Sequence, residues 1–465
     1  MRRFLFFLVL LALIGGAGAY WWAGRGGAPA IAVVSPEKVM GQGALIDVTV
    51  DAPGGQLSTL TVTFEQGGIE TPLFSMADPG GGVLTQEGPD RVRVKVPATR
   101  KEIAGLTSGD ARVRVAAART ALYGIRTLES STTHPLRVRL EPPRVAVLSL
   151  HHFVNHGGSE FVVFRATPED VTAGVRVGDR EYRAYSGSAV GIADPAVRVA
   201  VYALLHDQDL ATPMKVFATD EAGNTATADV TSRVFPKVFR RSRIEVPDAF
   251  LGRVVPAILE NSPDFAREVS DPNDLVAAFL KINGDMRRKN AETIASFAKD
   301  SAPEMLWQGG VFQQLGNSQV EAGFADHRTY FHSGKEIDQQ VHLGFDLAVT
   351  AAVPVVAAAR GKVVFADYLG IYGNCVIVDH GLGVQSLYAH LSSVDVTAGD
   401  TIEKGQALGR SGMTGLAGGD HLHFTMLVGG HPVNPVDWWS TQWMEDRLYR
   451  KIREAGGRAG EVASP

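Results

Sequence analysis

Val341-His342-Leu343-Gly344-Phe345-Asp346-Leu347, taken with Asp420-His421-Leu422-His423-Phe424 further along, decides how the last third of this chain reads. Leu343, Phe345 and Leu347 alternate with His342, Gly344 and Asp346, the period of a strand with one apolar and one polar face. That sets the motif apart from a helical His-Glu-x-x-His site. Positions four apart in a strand lie roughly 13 Å apart, too far to share an ion at bond lengths of about 2 Å. A bend is therefore required, and Gly344 is where a bulge fits. His421 and His423 are about 6.6 Å apart along a strand, on the face opposite Leu422 and Phe424, and spacing alone allows either to be a ligand. Histidine and carboxylate suit a hydrolytic zinc, whose catalytic sites use three protein ligands and leave one position for water. Together the two motifs read as one zinc site.

Short alternating strands punctuated by glycine lie between them: Gly361 to Ala366, Gly373 to Gly381 and Val384 to Leu391. Gly399 to Gly405, Ala407 to Gly415 and Pro432-Val-Asn-Pro435 follow the same style. With its two motifs, this series resembles the LytM-type M23 zinc metallopeptidases, the lysostaphin-like family that cuts peptidoglycan peptides, over roughly residues 305 to 440. The resemblance implies that His342, Asp346 and His423 hold Zn2+. It also implies that His390, in Tyr388-Ala389-His390-Leu391, and His421 face the attacking water. An imidazole titrates near neutrality and can take or orient that proton. No family position is lost, which argues against the non-catalytic members that activate other enzymes.

Outside that set, His380 precedes Gly381 and reads as a turn residue, while His327, His332 and His431 are expected to be exposed. His151, His152 and His156 cluster around an apparent loop. Arg328 and Tyr330, just before the first ligand, are candidates for substrate binding or for packing.

A length of 465 residues suggests about three domains. The net charge of -5 gives no sign of nucleic-acid binding. Lys237 to Arg243 is basic and reads as a solvated linker. Cys375 is the only cysteine, so no internal disulfide forms; beside Val376, Ile377 and Val378 it is expected to be packed rather than reactive.

Arg2 and Arg3 precede an apolar run from Phe4 to Ala23, long enough to span a bilayer, with Tyr20, Trp21 and Trp22 where an interfacial belt belongs. A signal anchor over 1–25 fits, with the bulk of the chain facing the periplasm. Ala17-Gly18-Ala19 also fits a cleavage site, which would release the chain.

Alternating strands with Gly/Pro-rich turns fill two further regions and are expected to form β-sandwiches, the first over 30–140 and an Ig-like one over 141–236. Strand alternation stops after Pro247, and Asn273-Asp274 can cap a helix bearing Leu275, Ala278, Phe279 and Ile282, so 247–303 reads as a helical connector, or alternatively as a cover that regulates the active-site groove. The peptidase region is placed at 305–445 and a surface helix with a frayed tail at 446–465. The expected fold is thus mainly β and multidomain: an anchor, two Ig-like sandwiches, a helical connector and an antiparallel-β LytM-type peptidase. The expected function is zinc-dependent cleavage of peptidoglycan stem or cross-link peptides. The alternative is a non-enzymatic LytM-like scaffold or amidase activator with an envelope protein partner.

Overall fold

Ile46, Val48 and Val50 along Ala44–Asp51, and Leu60, Val62 and Phe64 along Leu57–Gln66, are all buried. Residues two apart in a strand share a face, and here two sheets, of four and five strands, turn such faces onto one core. These strands belong to the first of two compact units, residues 1–143 with 219–226; the second is 144–218 with 227–465. The computed structural model describes residues 2–23, 27–53, 57–121, 124, 126–307 and 309–458. The side chains of Arg2, Arg3 and Trp22 and the tail from 459 lie outside that description. Arg2–Ala23 is a single helix whose stretch Phe4–Trp21 is apolar and long enough to cross a bilayer, a property that an anchor and a signal sequence share.

In the second unit, Ser159–Thr167 and Val197–Ala203 pair antiparallel at the centre of a four-stranded sheet. The basic run expected to be a linker is in part a strand. Arg241–Glu245 pairs in parallel with Asp326–His332, because Ser242 and Ile244 turn inward while its charged residues stay exposed. Helices follow at Asp248–Glu260, Pro263–Ala266, Leu275–Lys281 and Arg287–Phe297. In the first, Leu251, Val254, Val255 and Ile258 are buried at helical spacing. Asp274 caps the third by accepting from the Ala277 N–H at 3.0 Å.

The site stands on an eight-stranded antiparallel sheet. Its strands run in the order Gln319–Ala322, Phe345–Ala348, Leu422–Val428, Val384–Leu391, Asn374–Gly381, Gly361–Tyr368 and Thr401–Ile402, with His431–Val433 added beside Leu422–Val428. Val376, Val378, Tyr388, Phe424 and Met426 face one core. Cys375, Ile377, Leu387 and Leu427 face another, where Ile294 of the helix Arg287–Phe297 covers them. Both faces are buried, which is why this strand reads as a continuous apolar run. Cys375 is fully buried and burial raises its thiol pKa, as packing rather than reactivity requires.

Two expectations are corrected. His380 is not at a turn but buried within Asn374–Gly381, where Nδ1 donates to the Arg360 carbonyl at 2.9 Å and Ser386 Oγ lies 2.7 Å from Nε2. Likewise, the C-terminal helix packs Met444, Leu448, Tyr449 and Ile452 into the core instead of lying on the surface. Its charges misled: Lys451 is only 2% exposed and pairs with the buried Glu160 at 2.8 Å.

Candidate metal centre

Sheet register brings the donors together. Asp346 lies directly opposite His423, and His423 opposite Ala389 on its other side. Asp346, His423 and Thr425 therefore share the face opposite Phe345, Leu347 and Phe424. His342 ends the strand Lys335–His342 and the next strand begins only at Phe345, so the chain breaks at Leu343–Gly344 and His342 folds back over Asp346. Gly344 is required there. A Cβ at that position would sit 2.5 Å from His423 Nε2 and 2.6 Å from Thr425 Oγ1, closer than any side chain is tolerated.

Strand alternation would turn His390 to the far face, alongside Tyr388. Asn374 pairs with Leu391 but Val376 pairs with Tyr388, so Ala389 and His390 together oppose Cys375 in a bulge. His390 has φ 62°, a left-handed conformation that costs a non-glycine residue about 1 kcal/mol or more. The bulge swings its ring to 4.9 Å from that of His421 and 5.7 Å from that of His423.

The hydrogen bonds fix the tautomers. His342 Nδ1 donates to the Gly323 carbonyl at 3.1 Å, which leaves Nε2 with a lone pair. Thr425 Oγ1 donates to the Leu343 carbonyl at 3.0 Å and so accepts from His423 Nε2, also at 3.0 Å, leaving His423 Nδ1 with a lone pair. These two lone pairs and Asp346 Oδ1 meet at 2.9 to 3.0 Å from one another. Three acceptors converge with no proton between them, and such a hole is stabilised by a cation. Two imidazoles and one carboxylate are a zinc donor set, and their other polar atoms are already engaged as metal-holding histidines require. The residues present fit the ion. Among the described residues this is the one such group of His, Cys, Asp and Glu.

Asp346 Oδ2 is taken by Arg328 Nη2 at 2.9 Å. Arg328, a candidate for substrate binding or for packing, thus holds a carboxylate, while Tyr330 is buried against Phe279 with ring centroids 5.9 Å apart. Burial opposes ionisation of Asp346, but His342, His421 and His423 more than offset it, so its pKa lies well below the ordinary value.

His390 Nδ1 donates to the Thr414 carbonyl and His421 Nδ1 to the Gly419 carbonyl, each at 2.8 Å. Both rings therefore present Nε2 to the cavity. Burial lowers the pKa of each, but for His421 the neighbouring Asp346 wins and the net shift is upward. For His390, the charges of His421 and His423 add to burial and its pKa falls well below the usual value. His327 is exposed, while His332 and His431 are partly buried.

The five expected residues line one cavity of about 560 Å³, whose other wall includes Phe250, Phe279, Arg287 and Ile294 of the helical segment. That segment is tied to both sides of the groove. Asn283 Nδ2 donates to Asp338 Oδ2 at 2.8 Å, and Asn290 Oδ1 accepts from the Ile371 N–H at 3.0 Å. Thr425 escaped the sequence reading, although its place two residues after His423 put it on the same face. Arg287 gave no sequence signal.

Residues 340–435 match peptidase family M23. Over 97 residues the chain is 41% identical to the DD-carboxypeptidase/endopeptidase Mpg of Neisseria meningitidis serogroup B, a stretch covering 21% of this chain and 22% of that protein. Over 95 residues it is 39% identical to the peptidoglycan DD-endopeptidase ShyA of Vibrio cholerae, covering 20% and 22%. Over another 95 it is 36% identical to the murein hydrolase activator EnvC of Escherichia coli, covering 20% and 23%. The chain thus matches only about a fifth of the length of these relatives. Its C-terminal third carries a peptidase family M23 domain.

Proposed function

We propose that this chain is a zinc-dependent endopeptidase that hydrolyses peptide bonds in peptidoglycan stem or cross-link peptides. The observation that carries the reading is the convergence of the His342, His423 and Asp346 lone pairs, with His390 and His421 beside them. A zinc ion held by those three residues would polarise the scissile carbonyl and acidify the attacking water. His421 and His390, each fixed through Nδ1, offer Nε2 to take that proton and return it to the leaving nitrogen. Arg328 holds Asp346 through its second oxygen. Peptidoglycan is proposed as the substrate because relatives carry the name DD-endopeptidase. The apolar N-terminal helix supports a periplasm-facing protein held at the membrane, or one released by cleavage near Ala19.

Similarity to EnvC favours a second reading, an activator that cuts nothing. The complete residue set favours the enzyme. The deciding experiment incubates defined cross-linked muropeptides with the zinc-loaded full chain and identifies products by mass spectrometry. New peptide termini that vanish on chelation and return with zinc support the enzyme; stoichiometric zinc with no new termini supports the activator.

A further inference from the structure

Arg287 begins the helix Arg287–Phe297, outside the family match, yet it lines the same cavity as His342, Asp346, His390, His421 and His423. Its place is built rather than incidental. Nε donates to the Asn283 carbonyl at 3.1 Å and Nη2 to Asn283 Oδ1 at 2.6 Å. Asn283 is itself fully buried and pinned by Asp338 at 2.8 Å. The guanidinium is thus braced from behind, while Nη1 has no hydrogen-bond partner among the described residues.

Its charge is also uncompensated. The other cavity arginines are paired, Arg328 with Asp346 at 2.9 Å and Arg180 with Asp179 at 3.7 Å, and the cavity's Glu245 pairs with Arg243 at 2.8 Å. Arg287 makes no ion pair with any carboxylate among the described residues, Glu292 of its own helix included. It shares one cavity with the reacting centre. The Tyr372 ring packs 5.6 Å from that of His423. Tyr372 and Arg287 line the same cavity. An arginine preorganised by a buried amide, unpaired and facing a partly apolar cavity, is suited to a planar anion in bidentate geometry.

We propose that Arg287 is a carboxylate-binding residue of the catalytic cavity, reading a free carboxylate on the peptide substrate close to the bond that is cut. The inference rests on the peptidase reading and goes beyond it: the helical segment then serves as the substrate-selecting wall of the groove, and the preferred substrates are peptides with a carboxylate, over their amidated counterparts.

The test uses the zinc-free full chain, in which turnover is off and no metal competes for the anion. Binding of N-acetyl-lysyl-D-alanyl-D-alanine and of its C-terminal amide is measured by calorimetry. The wild-type protein is expected to bind the acid at least about tenfold more tightly than the amide, the scale of one charge-assisted pair. Arg287→Gln should bind both alike, and Arg287→Lys, which keeps the charge but loses the fork, should fall between. Equal binding of acid and amide by the wild type, no binding of either, or a preference that survives in Arg287→Gln would overturn the proposal. Turnover is measured separately with zinc restored. A chain that prefers the acid through Arg287 yet cuts neither peptide supports the carboxylate site and counts against the hydrolase reading alone.

Discussion

His423 owes its free Nδ1 to Thr425, whose hydroxyl is committed to the Leu343 carbonyl and so can only accept from His423 Nε2. Thr425→Val removes that partner and lets the ring choose the other tautomer. Zinc affinity is expected to fall about 10- to 100-fold, read by competition with a chelator; unchanged affinity would show that the tautomer is fixed in some other way. His380 is a case of burial without a metal. Desolvation brings its pKa down to about 4, from the ordinary 6.5. The unfolded chain therefore binds a proton between those values while the folded chain does not. The stability that neutral His380 contributes is present above about pH 6.5 and lost as pH falls toward 4. Between pH 7 and 4.5 this one group should cost about 2 to 3 kcal/mol. Urea unfolding of wild type and His380→Gln at both pH values checks it: the variant should be less stable at pH 7 but lose less on acidification. Equal losses would mean that other groups set the acid sensitivity.

At the scale of elements, the helix Arg287–Phe297 is held to the site face of the sheet by Ile294, which packs with Cys375, Ile377, Leu387 and Leu427. Ile294→Ala should cost about 2 to 5 kcal/mol, measured by denaturant unfolding, and should loosen the wall that carries Arg287. A loss well under 1 kcal/mol would show that the wall is held by Asn283 and Asn290 instead. Much of the site was legible because strand alternation is a local rule. Asp346, His421 and His423 follow from it, and the need for a break at Gly344 follows from the distance between His342 and Asp346. Other features depend on long-range pairing. Alternation alone sends His390 the wrong way, and the bulge that corrects it shows only once Asn374 meets Leu391. Arg241–Glu245 reads as a charged linker until Asp326–His332 offers it an edge. The docking of the helical segment over the groove rests on Asn283 and Asn290, two ordinary polar residues in the sequence.

At the scale of the whole molecule, the family match begins at residue 340, but the core does not stop there. In the second unit one apolar cluster runs from Phe161 and Val201 through Val376 and Phe424 to Leu448 and Ile452. Charge is buried in the same place: Lys451 donates to Glu160 Oε1 at 2.8 Å and to the Phe161 carbonyl at 2.9 Å. Burial pushes the Glu160 pKa up and the Lys451 pKa down, against their mutual attraction. Lys451→Met strands the Glu160 carboxylate and should cost about 3 to 5 kcal/mol, whereas Glu160→Gln combined with Lys451→Met should recover much of it. A single variant as stable as wild type would mean that Glu160 is protonated in the fold. What this framework holds in place is a hole of three lone pairs, and the most direct test of it is the zinc content of the purified full chain carrying His423→Ala or His421→Ala, measured beside turnover. His423→Ala is expected to lose zinc and activity together, and His421→Ala to keep near-stoichiometric zinc while slowing about 100-fold or more. Zinc kept by His423→Ala and lost from His421→Ala would contradict the account.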